Sequence, residues 1–132
     1  MLKLDHINIQ TVKLAETVAF YRDVLDLKAG NPPPPLDPAE VQWMFDPEGN
    51  AIFHLSTPGS LSAIGDINSG ADTGAVHHVA LACSGHDGMI DRLDRLGLPH
   101  RGNHVAATDL KQIFVRDPNG VLLELNYRKG NH

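Results

Sequence analysis

VRDPNGVLLELNY, residues 115–127, is the stretch that decides the fold. Its Asn-Gly pair marks a tight turn, and the branched and aromatic run that follows reads as a strand. Side chains alternate along a strand, so Leu123, Leu125 and Tyr127 share one face while Leu122, Glu124 and Asn126 share the other. A lone carboxylate buried in such a strand costs several kcal/mol unless it is paired or bound to a metal. Glu124 therefore either faces water or meets a positive partner.

The pattern occurs once more upstream. FDPEGNAIFHLS, residues 45–56, matches VRDPNGVLLELN when one extra residue, Asn50, is allowed in its turn: Asp46-Pro47 falls on Asp117-Pro118, Gly49 on Gly120 and Leu55 on Leu125. His54 then stands where Glu124 stands. Further outward, LDHINIQT at 4–11 matches VHHVALAC at 76–83, with His6 on His78, Ile7 on Val79 and Ile9 on Leu81. A helical pattern follows each opening strand. Leu14, Val18, Tyr21 and Leu25 recur at helical spacing in the first; Ile90, Leu93 and Leu96 do so in the second, where Gly97 and Pro99 end the helix. VQWMF at 41–45 and KQIFVR at 111–116 supply the first strands of the two hairpins, and short second strands are expected at 27–30 and 98–103.

These elements predict an α+β protein of two βαβββ modules, residues 1–56 and 76–128, forming curved mixed sheets around a cavity within one domain spanning 1–132. GNPPPPLDP at 30–38 is a stiff, extended loop, and residues 57–75, rich in Gly, Ser and Asp, read as a linker or lid.

Composition narrows the function. A formal charge of −5 and the lack of any basic run speak against a nucleic-acid surface. The single Cys83 rules out an intramolecular disulfide and fits a reducing compartment. No apolar run reaches membrane-spanning length, and MLKLDHINIQ lacks the apolar stretch of a signal peptide, so a cytoplasmic protein without membrane contact is expected. Histidine is abundant, at 8, and its placement carries the chemistry.

His6, His78 and Glu124 share a phase, each pointing away from the helix of its own module, and His54 joins them by the repeat. Two His and one carboxylate form the facial set that binds a divalent ion and leaves positions open, and a fourth ligand widens the choice of metal. The expected cofactor is one divalent ion: Fe, Mn, Ni, Co or Zn. A single strand His is more often structural, and it is the repetition in phase that lifts this trio above that reading. His77 reads as structural, and His86, at a helix start, and His132 as solvated. His100, in the short strand expected at 98–103, and His104, read as a loop residue just beyond it, both lie in LPHRGNHVAATD, and His104 is a candidate general acid or base. Trp43, Phe45 and Phe53 are either apolar pocket wall or plain core. Arg101, Arg128 and Lys129 suit an anionic substrate or simple solvation.

With DHINI, HHVAL, FYRDVLDLK and FVRDPNGVLLELNY in view, essentially the whole chain resembles the vicinal oxygen chelate superfamily. That group includes glyoxalase I, extradiol dioxygenases, fosfomycin-resistance transferases and bleomycin-binding proteins. The resemblance implies a homodimer whose metal chelates two adjacent oxygens of a small substrate, with His6, His78 and Glu124 at the usual ligand positions. His54 occupies the place of a glyoxalase Glu that binds metal and moves protons, which leaves Glu124 as the ligand carboxylate able to act as base. The glyoxalase pattern thus implies Glu124 as a catalytic residue, and the dioxygenase pattern implies His104 as a proton-moving helper, although its Tyr falls at Phe114. An extradiol-type dioxygenase is the first expectation and a glyoxalase I-like lyase or isomerase the second. A drug- or metabolite-binding protein of the bleomycin-resistance kind is the alternative from another class.

Overall fold

The computed structural model describes residues 1–61 and 74–132, so most of the expected linker or lid at 57–75 lies outside the described residues. The chain divides into two compact units, Met1–Asp72 and Thr73–His132.

In the first unit, β1 (Ile7–Gln10) leads into α1 (Leu14–Leu25), then β2 (Lys28–Gly30), β3 (Val41–Phe45) and β4 (Ala51–Ser56). The sheet order is β1-β4-β3-β2, with β1 parallel to β4 and the other neighbours antiparallel. Thr17, Phe20, Tyr21 and Val24 form the buried stripe of α1. The Tyr21 ring lies 4.6 Å from that of Phe53, so Phe53, Leu55 and Ile9 mark the helix-covered face. Of the residues expected to form that stripe, Leu14, Val18 and Leu25 are only half-buried. Thr17 takes a core place because its hydroxyl donates to Lys13 O at 2.7 Å, satisfying its polar atom within the helix. Asp26 closes the helix in the left-handed region, φ 57°.

The second unit repeats this order: β5 (Val79–Ala82), α2 (His86–Arg95), β6 (His100–Val105), β7 (Leu110–Arg116) and β8 (Leu122–Tyr127). Its sheet runs β5-β8-β7-β6, again parallel only at the first pair. Leu93, Ile113, Val115, Leu123, Leu125 and Tyr127 form its buried core. Gly97, at φ 67°, follows α2 as expected, whereas Leu96 is exposed.

The two halves match in register. Asn8 pairs with His54 across β1 and β4, as Ala80 pairs with Glu124 across β5 and β8. The extra residue of the first half, however, is not in the turn. Asp46 N donates to Asn50 O and Asp117 N to Val121 O, so both turns span five residues closed the same way. In each turn the leading Asp Oδ1 accepts two backbone N–H groups: Glu48 and Asn50 in one, Asn119 and Val121 in the other. Phe45 pairs with Ala51 but Met44 with Phe53, which leaves Ile52 as a β-bulge. The bulge, not Asn50, absorbs the surplus residue and keeps His54 in phase.

Candidate functional site

The face of the first sheet opposite α1 carries a run of stacked rings. Trp43 pairs with His54 in the β3–β4 register, and their rings stack at 4.0 Å. On its other side His54 stacks on His6 at 3.7 Å with 11° between planes. Phe45 continues the row at 6.5 Å from Trp43 and covers Gly30, where a Cβ would meet its ring at 2.7 Å. His6 precedes β1, and its Nδ1 is tied to the Asp5 carboxylate. That contact holds Asp5 below the usual carboxylate range and leaves His6 Nε2 as the free ring atom. Burial, and then the neighbouring His6, push His54 down to about 4, so its ring is neutral at pH 7.

His6 and His54 are thus brought together, but by their faces. Each imidazole lone pair lies in its own ring plane, and one ion cannot sit in two parallel planes. In this arrangement His54 is a neutral shelf that orients His6 and does not share an ion with it. His54, the expected fourth ligand, therefore presents a ring face to His6 in this arrangement.

In the second unit the face opposite α2 carries Glu124, whose side chain is only 16% exposed. Its Oε2 accepts from Asn126 Nδ2 at 2.9 Å. Its Oε1 lies 3.9 Å from His78 Nε2. His78 Nδ1 is 2.9 Å from His77 Nδ1, so the second ring nitrogen is the one turned toward the carboxylate. Among the described residues no Lys or Arg pairs with Glu124. A carboxylate so withdrawn from water, with one amide and one imidazole for company, has unused acceptor capacity.

His78 Nε2 and Glu124 Oε1 are donors of a kind that suits a divalent ion. Two donors each about 2.1 Å from one ion at a tetrahedral angle stand roughly 3.4 Å apart. The His78–Glu124 separation needs only a small side-chain adjustment to reach that value. Within either unit, no three His, Cys, Asp or Glu side chains of the described residues gather as a ready metal group.

His104 does not join Glu124. The strand expected at 98–103 is β6, and it runs on to Val105, so His104 lies within it, pairing with Lys111, which pairs with Tyr127. That row lies on the helix-side face with buried Tyr127, while Glu124 pairs with Phe114 and belongs to the opposite face. His104 Nε2 instead meets the Asp109 carboxylate at 2.9 Å, in the open. This hydrogen bond lowers the Asp109 pKa. His104 is therefore corrected from a proton-moving candidate to a surface partner of Asp109.

His86 and His132, expected to be solvated, are both engaged. The His86 ring sits edge-on to Tyr127 at 5.3 Å, and His132 Nε2 lies 2.9 Å from Asp109 O. His77 is exposed. Arg101, on the Glu124 face, holds its guanidinium 5.8 Å over the Phe114 ring. Sequence reasoning placed Asn126 on the Glu124 face without a role and passed over Gln112 and Asn103, which line up with it. Asn126 shares the Glu124 phase in the sequence itself, but only the pairing of β8 with β7 and of β7 with β6 adds Gln112 and Asn103 to that face.

Among the described residues no helix is long and apolar enough to cross a membrane. No curated protein sequence matches the chain significantly. Solved structures do. A Bacillus anthracis protein described as of the glyoxalase family is 20% identical, with 96% of this chain and 94% of that chain covered and a TM-score of 0.69. Lactoylglutathione lyase of Agrobacterium tumefaciens is 19% identical, covering 92% and 90%, at 0.63. The fosfomycin resistance protein FosX of Listeria monocytogenes is 15% identical, covering 96% and 93%, at 0.68. At these identities the likeness is one of fold. The family model of the Glyoxalase/Bleomycin resistance protein/Dioxygenase superfamily matches residues 3–125, and the chain belongs to that superfamily.

Proposed function

We propose that the protein is a divalent-metal-dependent enzyme acting on a small substrate with two adjacent oxygens, and that His6, His78 and Glu124 are its metal ligands. The observation that carries this reading is the withdrawn Glu124 carboxylate, its Oε1 turned to His78 Nε2 and unmatched by any Lys or Arg of the described residues. His6 contributes a carboxylate-anchored imidazole, the arrangement in which metal-binding histidines are commonly held. Fe, Mn, Co, Ni and Zn all suit such ligands.

When bound, a divalent ion supplies Lewis-acid polarisation of substrate oxygens. The remaining chemistry belongs to the side chains. Glu124 is the one carboxylate among the β5–β8 residues of its sheet face, which makes it the group to move a proton between adjacent carbons. His54, neutral at pH 7, holds His6 from behind, and Trp43 holds His54 in turn. Phe114, opposite Glu124 in register, has no hydroxyl to offer. Because His104 lies on the other face of the sheet, the side chains expected to assist ring cleavage are missing beside Glu124. Glyoxalase-type proton transfer therefore takes precedence over extradiol ring cleavage, reversing the order expected from sequence. A cytoplasmic homodimer is the proposed setting.

The test begins with metal-free protein titrated anaerobically with Co(II) and Fe(II) by calorimetry. Stoichiometric binding that is lost in Glu124→Gln and His78→Ala supports the reading. Turnover of a glutathione hemithioacetal under nitrogen assigns proton transfer, and oxygen uptake with a catechol panel assigns ring cleavage. Absence of any stoichiometric metal, with ligand binding unchanged in His6→Ala, would sink the enzyme reading in favour of a binding protein.

A further inference from the structure

The Glu124 carboxylate ends a row of amides that crosses its sheet. Asn126 Nδ2 donates to Glu124 Oε2 at 2.9 Å, Gln112 Nε2 donates to Asn126 Oδ1 at 3.0 Å, and Asn103 Nδ2 donates to Gln112 Oε1 at 2.8 Å. The register puts Asn103 opposite Gln112 and Gln112 opposite Asn126, so the row follows the pairing of β6, β7 and β8. It runs from exposed Asn103, through half-buried Gln112, to Asn126, which is 7% exposed.

The direction of this row is not arbitrary. An ionised carboxylate has only acceptors, so Asn126 must turn its NH2 toward it. The Asn126 oxygen then faces Gln112, which must donate, and the Gln112 oxygen faces Asn103, which must donate as well. Charge on Glu124 thus sets the orientation of three amides, and each bond polarises the next in the same sense. The result at Glu124 is asymmetric. Oε2 is occupied by an N–H, while Oε1 is turned toward His78 Nε2.

A carboxylate can bind an ion through one oxygen or through both. We propose that Asn126, backed by Gln112 and Asn103, is a positioning residue that keeps Glu124 a one-oxygen ligand, so that its ion retains two neighbouring positions for the paired oxygens of a substrate. This rests on Glu124 being a metal ligand. Without the Asn126 amide, Oε2 is free to turn onto the ion and take one of those positions. The row therefore governs substrate chelation more than metal capture.

The experiment uses the full chain loaded with Co(II), whose visible spectrum reports coordination, and acetohydroxamate, a small chelator with two adjacent oxygens. Asn126→Ala is expected to lower acetohydroxamate affinity about tenfold while Co(II) affinity stays within about threefold, in the range of effects seen for groups behind a metal ligand. Adding acetohydroxamate should change the Co(II) absorption less in the variant than in the wild type, because Oε2 already holds one of the positions the chelator needs. Gln112→Ala, at a half-buried position, should give a smaller loss of the same kind and keeps the test alive if Asn126→Ala fails to fold. Unchanged acetohydroxamate binding in the folded variants would overturn the proposal, and so would equal losses of Co(II) and acetohydroxamate, which mark a structural role only. Glu124→Gln separates the two levels. If it binds Co(II) as tightly as the wild type, the assignment of Glu124 as a ligand has failed, whatever Asn126 does.

Discussion

Replacing His54 with Gln should flatten the pH dependence of stability in metal-free protein between pH 6.5 and 4. In the folded chain the His54 ring resists protonation until about pH 4, whereas an unfolded His takes its proton near 6.5. Across that window the unfolded state binds more protons, so stability rises with pH and is lost as pH falls. The interval of 6.5 − 4 = 2.5, at about 1.36 kcal/mol for each pH unit, sets an upper bound of roughly 3 kcal/mol. The ring is only part-buried and water screens much of the penalty, so ~1 kcal/mol is the expected share. Urea unfolding of wild type and His54→Gln at half-unit pH steps gives the two slopes. Trp43 is the sole tryptophan and stacks on His54, so its fluorescence should change with a midpoint near pH 4 in the wild type and show no such step in the variant. Equal slopes for the two proteins, or a Trp43 transition near pH 6.5, would refute the stacked, neutral His54.

Leu125→Ala, at a fully buried position of β8, should cost about 3 kcal/mol, read as a lower urea midpoint at unchanged m-value. Gly30→Ala forces a Cβ to within 2.7 Å of the Phe45 ring, and the ring's displacement should cost about 1 kcal/mol; a neutral or stabilising result would show the Phe45 shelf to be soft. His104→Ala should leave Co(II) affinity and the urea midpoint unchanged within error, because its partner is exposed Asp109 and not Glu124. A drop in Co(II) affinity there would return His104 to the site.

Most of the architecture was legible because it is written twice. Strand alternation placed His6, His54, His78 and Glu124 in phase without any structure, and the registers of β4 and β8 agree. What escaped depends on exact lengths and lateral neighbours. His104 was misread because the short strand expected at 98–103 stops before it, whereas β6 runs on to Val105, and a residue beyond a strand's expected end is given no phase. His54 was correctly aimed, but stacking against His6 arises from side-chain rotation, which a linear pattern does not encode. The Asn103–Gln112–Asn126 row joins three strands, and only the sideways pairing makes three scattered amides one feature. Tertiary contacts likewise pulled His86 and His132 out of solvent, the first against Tyr127 and the second onto Asp109.

Ile52 carries a consequence for how such a hairpin tolerates change in length. One added residue in a strand ordinarily inverts everything beyond it, sending polar side chains into the oil and leucines into the water. Here the kink at Ile52 swallows the addition, and Phe53, His54 and Leu55 face as Leu123, Glu124 and Leu125 do. The two halves are thus a completed insertion experiment within one molecule: the chain count changed by one and the facing of His54 and Glu124 did not.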